Sequence, residues 1–262
     1  MDRKEMINDF YTGYNEDIRL FKNRRGQLEM LTTMHYIHKV LPEPGAVLEI
    51  GAGTGRYSIA LAKEGYQVSA VELAEQNFEL LRKNSEGMDN LQAIRGDAVD
   101  LRFLPDDRYD LTLLLGPMYH LYNKEDQLAA LREAIRVTKP GGYILTAFLS
   151  VYAILTDNYL RGNLLEGLRE NFTEEWQVRH FQEQLFTGFE IPEFEALFRD
   201  LPVTQLAVAA ANGVLELAEG RADFQMSDAE FEAFAKYHLH FCERRELLGS
   251  SSHLLHLCQK NR

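Results

Sequence analysis

Val47-Leu48-Glu49-Ile50-Gly51-Ala52-Gly53-Thr54-Gly55 is the stretch that decides the fold. The run from Ala46 to Ile50 reads as a buried strand, three glycines follow at every second position, and Tyr57 to Lys63 then reads as a helix. Glycine lets the backbone reverse sharply and lets a ligand come close to it. The helix start behind the turn supplies unpaired N–H groups and a positive field. Strand, bare turn and helix in this order predict a nucleotide-like ligand at the carboxyl end of the first strand of a parallel sheet.

Outward from that turn, strand and helix patterns alternate. Gln67 to Val71 reads as a second strand, with a helix through Phe78, Leu80 and Leu81 behind it. Leu91 to Arg95 is a third strand and Tyr109 to Leu115 a fourth, nearly all apolar as a central parallel strand should be. Asn123 is placed to cap a helix carrying Leu128, Leu131 and Ile135; Lys139-Pro140-Gly141-Gly142 reads as a turn, and Tyr143 to Leu149 as a fifth strand. Beyond residue 150, Asn158 to Arg169 and Asp228 to Arg245 read as helices, and Val203 to Ala210 and His253 to Gln259 as closing strands. The expected fold is α/β: a doubly wound, mostly parallel, seven-stranded sheet. Residues 1–41 are expected to form a helical cap, 42–150 the ligand-binding core, and 151–262 lid helices plus the C-terminal strands.

Composition narrows the partners. The chain has 262 residues, 40 acidic against 28 basic, for a formal net charge of −12. A nucleic-acid binder needs a basic footprint, so nucleic acid is not an expected partner. Cys242 and Cys258 form no Cys-x-x-Cys pair. The charged start and the lack of any apolar run near the ~20 residues of a bilayer span point to a cytoplasmic protein without a membrane partner. His238 and Cys242 share a helix face but sit among Phe231, Phe234 and Phe241, which favours packing, so no metal is expected. His253 and His256 cannot share one face of a strand. Oligomeric state is left open.

The dinucleotide fingerprint Gly-x-Gly-x-x-Gly is broken here, because Arg56 stands where the third glycine belongs. Glu72, ~20 residues past the first glycine, is placed to accept hydrogen bonds from ribose hydroxyls. Glu49-Ile50-Gly51-Ala52-Gly53-Thr54-Gly55 resembles motif I of the class I S-adenosylmethionine-dependent methyltransferases. Val71-Glu72, Gly96-Asp97-Ala98, Tyr109-Asp110 to His120-Leu121, and Val137-Thr138-Lys139-Pro140-Gly141-Gly142 resemble the later motifs of that family, in order.

The resemblance implies a Rossmann-like methyltransferase fold, S-adenosylmethionine as cofactor and a small-molecule substrate methylated at N, O or S. It implies a cofactor site made by Tyr11, Tyr14, Glu49, Gly51, Ala52, Gly53, Gly55, Glu72, Leu73, Asp97, Ala98, Leu115 and Gly116. Asp97 is expected to meet the adenine amino group or, alternatively, to cap a helix. Tyr11 and Tyr14 either face the sulfonium or pack the cap. His120, with Tyr119 beside it, is the candidate catalytic residue, as base or as substrate orienter; a histidine bonded to backbone is the competing reading. Gly116-Pro117-Met118-Tyr119 departs from the Asn/Asp-Pro-Pro-Tyr/Phe run of nucleobase amino methyltransferases. Tyr152, Tyr159, Trp176, His180 and Phe181 line a substrate pocket or fill the lid. A nicotinamide (NAD or NADP) oxidoreductase and a non-catalytic adenosyl-binding protein remain as alternatives.

Overall fold

The apolar run Ala46–Ile50 becomes β1, wholly covered apart from its first residue. It lies parallel between β2 (Gln67–Glu72) and β4 (Tyr109–Leu114), with Val47 opposite Val68 on one side and Leu111 on the other. The structure, a computed structural model, describes residues 2–160, 162–181 and 184–262. β3 (Leu91–Arg95) pairs with β2, and β5 (Thr138–Ser150) with β4, both parallel. β8 (His253–Lys260) runs antiparallel beside β5, and β7 (Val203–Ala210) antiparallel beside β8. The sheet order is β3-β2-β1-β4-β5-β8-β7, reversing at β1/β4 as a doubly wound sheet does.

Helices cover the sheet and close its carboxyl edge. These are α1 (Arg3–Gly13), α2 (Arg24–Val40), α3 (Arg56–Lys63), α4 (Glu75–Asn84) and α5 (Lys124–Val137). The second half adds α6 (Val151–Ile154), α7 (Leu164–Asn171), α8 (Ile191–Ala196), α9 (Leu215–Glu219), α10 (Asp228–Phe241) and α11 (Arg245–Leu248). Asn123 caps α5 as expected, its side-chain oxygen accepting from the Asp126 amide at 2.8 Å. The main core joins both sheet faces through β1, β4, β5 and β8. A smaller cluster of Leu28, Leu215, Phe231 and Ala235 ties α2 to α9 and α10.

The structure corrects the sequence reading at four places. Lys139 to Gly142 is not a free turn: β5 begins at Thr138, which pairs with Tyr109, and the next pairing is Leu111 with Tyr143. The four residues between bulge out of the strand, with Gly141 at a φ of 78°. The helix read over Asn158–Arg169 is instead a π-turn, Leu155–Tyr159, followed by α7. Gly162 and Asn163, at φ 150° and 61°, break the ladder between them, and Arg161 lies outside the described residues. The helix read over Asp228–Arg245 stops at Phe241 and resumes as α11. An eighth, two-residue strand, β6 (Gly188–Phe189), adds to the expected seven by pairing with the end of β5.

Phe148 on β5 is fully buried and stacks on Phe194 of α8 at 3.9 Å between ring centroids, so α8 is packed onto the sheet through aromatic contact. Phe148→Ala should lower the free energy of unfolding by ~3–5 kcal/mol, read from urea or guanidinium midpoints at unchanged slope.

Candidate functional site

The glycine turn is held by the sheet itself. The amides of Gly51 and Ala52 both donate to the Val71 carbonyl of β2, at 2.8 and 3.0 Å. Gly51, at a φ of 77°, has no room for a side chain: a Cβ there would meet Pro117 Cδ at 2.5 Å. The Gly53 amide donates to Glu72 Oε2 at 2.7 Å, and the Ala74 amide to Glu72 Oε1 at 2.7 Å. Burial raises the Glu72 carboxyl to about 7 against these stabilising bonds. Glu49 lies deeper, accepting from the Ser58 hydroxyl, and burial raises it to about 8.

A cavity of about 650 Å³ opens in front of this turn. Tyr11, Tyr14, Glu49, Gly51, Ala52, Gly53, Glu72, Leu73, Asp97, Ala98, Leu115, Gly116, Tyr119 and His120 all line it. Gly55 alone of the expected residues does not. It caps α3 at a φ of 89°, where a Cβ would strike Leu81 Cδ1 at 2.5 Å, so it serves the packing of α3 on α4. The carboxylate of Asp97 accepts from Arg3 of α1 at 2.6 Å and lies 3.1 Å from Lys4, rather than capping a helix.

The N-terminal segment forms the roof. Besides Arg3, α1 brings Tyr11 Oη to 3.2 Å from His120 Nε2, and Asn8 Oδ1 accepts from the Glu75 amide of α4 at 2.8 Å. Arg56, which spoils the dinucleotide pattern, donates from Nη2 to the Asp17 carboxylate at 2.6 Å and from Nε to the Asp17 carbonyl at 2.7 Å. It thereby pins the roof to the start of α3. Phe10, Tyr11, Tyr14, His120 and Phe186 form one aromatic wall, with Phe186 5.0 Å from His120 and 5.2 Å from Phe10.

Pro117–His120 makes a single 3₁₀ turn after β4. His120 is buried, and its Nδ1 lies 2.7 Å from the Leu185 carbonyl. A carbonyl only accepts, so Nδ1 carries the hydrogen and Nε2 accepts from the Tyr11 hydroxyl. Burial lowers His120 to about 4, and it is a neutral imidazole near pH 7.

The far end of the cavity is polar. Arg19 Nη1 donates to both oxygens of Glu29 at 2.9 Å and Arg19 Nε to Glu16 at 2.8 Å. Burial alone would raise Glu29, but the Arg19 charge holds it below its usual range. Arg25 pairs with Glu216 at 2.8 Å, and Asn212, Ser252 and His253 surround the same carboxylate. Sequence reasoning missed this end because its residues come from the segment before α2, α2 itself, the β7–α9 connection, α9 and the start of β8, with no motif linking them. The lid residues Tyr152, Tyr159, Trp176, His180 and Phe181 do not line the cavity. Tyr152 packs on Phe172, His180 bonds Thr187 and Glu193, and Trp176 is exposed.

A doubly wound sheet with a glycine turn, a buried acid at the end of β2 and a cavity at the switch point defines a nucleoside-binding α/β protein. The family described as "Methyltransferase domain" matches residues 47–142. A demethylmenaquinone methyltransferase of Clavibacter sepedonicus is 33% identical over 141 residues, 53% of this chain and 55% of that protein. The chain thus spans about half the length of the curated relatives it matches. In fold it is similar to the PH0226 protein of Pyrococcus horikoshii OT3, with a TM-score of 0.60 at 18% identity, covering 95% of this chain and 100% of that one. It is also similar to a SAM-dependent methyltransferase of Methanosarcina mazei, with a TM-score of 0.55 at 16% identity, covering 86% and 97%. Residues 47–142 thus match a methyltransferase domain, and the fold around them is that of an S-adenosylmethionine-dependent methyltransferase. No described helix is long and apolar enough to cross a membrane.

Glu49 is protonated more readily in the folded chain than in the unfolded one, so its ionisation opposes folding. Its favourable contribution is complete below about pH 4.5 and is lost as pH rises through about 8. Glu49→Gln should therefore gain stability relative to the parent as pH is raised from 5 to 9. Urea midpoints at several pH values check this; a gap that stays constant with pH would refute it.

Proposed function

We propose that this chain transfers the methyl group of S-adenosylmethionine to a small planar acceptor of quinol type, a ring carrying ionisable hydroxyls. The observation that carries the adenosyl half is the buried Glu72 carboxylate, tied to the Gly53 amide on the cavity wall. Gly51, Ala52 and Gly53 would leave room for the cofactor, Glu72 would receive the ribose hydroxyls, and Asp97 with Ala98 would meet the adenine. Tyr11 and Tyr14 would present ring faces and edges near the positive sulfur. Bound there, the cofactor supplies a methyl group already activated by its sulfonium.

The acceptor class is supported by two independent features. The relatives over the core carry the name demethylmenaquinone methyltransferase. The wall of Phe10, Phe186 and His120 suits a flat ring, while the polar far end suits its hydroxyls. The chain's own residues hold the two reactants together, exclude water under α1 and direct the departing proton. His120 acts as a neutral orienter: its Nε2 already accepts one hydroxyl hydrogen, from Tyr11, and can accept another in its place.

Calorimetry with S-adenosylmethionine, S-adenosylhomocysteine and NAD tests the first half, and Glu72→Ala should weaken the two adenosyl ligands at least about ten-fold, the scale of one charged hydrogen-bonding group. Mass spectrometry of 1,4-dihydroxynaphthalene incubated with cofactor under argon tests the second. Binding without a gain of one methyl would leave an adenosyl-binding protein with a different acceptor or none.

A further inference from the structure

β8 runs antiparallel to β5, so its first residue, His253, lies opposite Leu149 at the carboxyl edge of the sheet. That register puts it beside the loop after β4, where its ring and that of Tyr119 stand nearly perpendicular with centroids 5.6 Å apart. His253 lines the cavity together with Asn212, Glu216 and Ser252. The Ser252 hydroxyl donates to Glu216 Oε2, and Ser252 Oγ lies 3.0 Å from His253 Nδ1. Asn212 Nδ2 has donor contacts to Glu216 at 3.2 Å and to Ser252 Oγ at 2.9 Å, which use both its hydrogens. It also lies 3.2 Å from His253 Nδ1, but no third hydrogen is left to give. The arrangement is satisfied when His253 Nδ1–H donates to Ser252 Oγ and Ser252 donates to Glu216. The other oxygen of Glu216 is fixed by Arg25 Nη1 at 2.8 Å. Among the described residues, His253 Nε2 has no hydrogen-bond partner.

We propose that His253, oriented through Ser252 and Glu216, is the catalytic base that takes the hydroxyl proton of the acceptor. This rests on the quinol reading above and assigns the proton that reading leaves over. The two histidines of the cavity differ in the way the task requires. His120 is bound at both nitrogens, whereas His253 keeps an open lone pair on a ring backed by a carboxylate. As the acceptor O–H breaks, its proton passes to Nε2, and the resulting imidazolium lies close to the Glu216 and Glu29 carboxylates, with Arg25 paired to the other oxygen of Glu216 and the Tyr119 ring beside it. The electron pair released forms the new bond to the methyl carbon, from oxygen or from the ring carbon conjugated with it. The methyl–sulfur pair stays on sulfur, leaving a neutral thioether. In the carbon case the ring hydrogen is then lost to water as the ring regains aromaticity.

Two measurements test the assignment. Imidazole ¹⁵N NMR of the intact protein should find His253 as the Nδ1–H tautomer, and saturating 1,4-dihydroxynaphthalene with S-adenosylhomocysteine should shift its Nε2 resonance. An Nε2–H tautomer, or no response to the probe, overturns the proposal. In kinetics with 1,4-dihydroxynaphthalene under argon, His253→Gln should lower kcat about 10²-fold at pH 7, the scale of general base catalysis, with KM and the affinity for S-adenosylhomocysteine little changed. The deficit should shrink as pH rises and the probe ionises by itself, and Ser252→Ala should fall between the two. A parent-like kcat, or a deficit independent of pH, overturns it. If the parent protein does not methylate the probe, the quinol reading fails, and the NMR result alone then decides on His253.

Discussion

Everything in the site depends on one hydrogen bond across two strands, from the Gly53 amide to the buried carboxylate of Glu72. With the Gly51 and Ala52 amides on the Val71 carbonyl, it fixes the glycine turn after β1 against the end of β2. A carboxylate in this position is costly, and burial already raises it to about 7 although the amides of Gly53, Leu73 and Ala74 stabilise it. The molecule retains an acid there that would be more comfortable protonated. Ligand hydroxyls that donate to the ionised form would recover part of that cost, which is what the proposed ribose contact asks of Glu72.

The roof over the cavity is attached by charge as well as by the aromatic wall and by Leu20, which is buried in the main core. Arg3 to Asp97, Arg56 to Asp17 and Arg19 to Glu29 each bridge the N-terminal segment to the core or to α2, and Glu16 holds Arg19 from within the segment. α1 itself buries only Ile7. Partly buried ion pairs cost desolvation to form and leave an expensive orphan when one member is removed.

Much of this was legible in the sequence, for a definite reason. The core strands run parallel and buried, so their apolar runs and the glycine punctuation are strong signals, and all but Gly55 of the residues expected at the site meet in one cavity. Gly55 sat in the same motif but is consumed by the α3–α4 contact, a tertiary demand that spacing cannot reveal. The Lys139–Gly142 excursion carried the residues of a turn, and only pairing with β4 shows that the strand continues through it. The polar end was illegible because Arg25, Asn212, Glu216 and His253 are brought together by the antiparallel return of β8 and by α9, both set by long-range packing.

The two histidines show how environment and not residue type sets chemical role. His120 lies on the loop where sequence reasoning placed a base, but a carbonyl and a tyrosine occupy both nitrogens, and burial lowers it to about 4. It is built to stay neutral. His253 drew no such attention, since alternate residues of a strand face opposite ways and His256, three positions on, is buried against Phe198. Yet the antiparallel course of β8 places His253 at the open edge of the sheet, where Ser252 and Glu216 can hold one nitrogen while the other is left for a ligand. Pairs of titratable groups in contrasting surroundings divide acid–base work in this way, with one orienting and one accepting. The sheet topology thus supplies the second of them as directly as the glycine turn supplies the cradle.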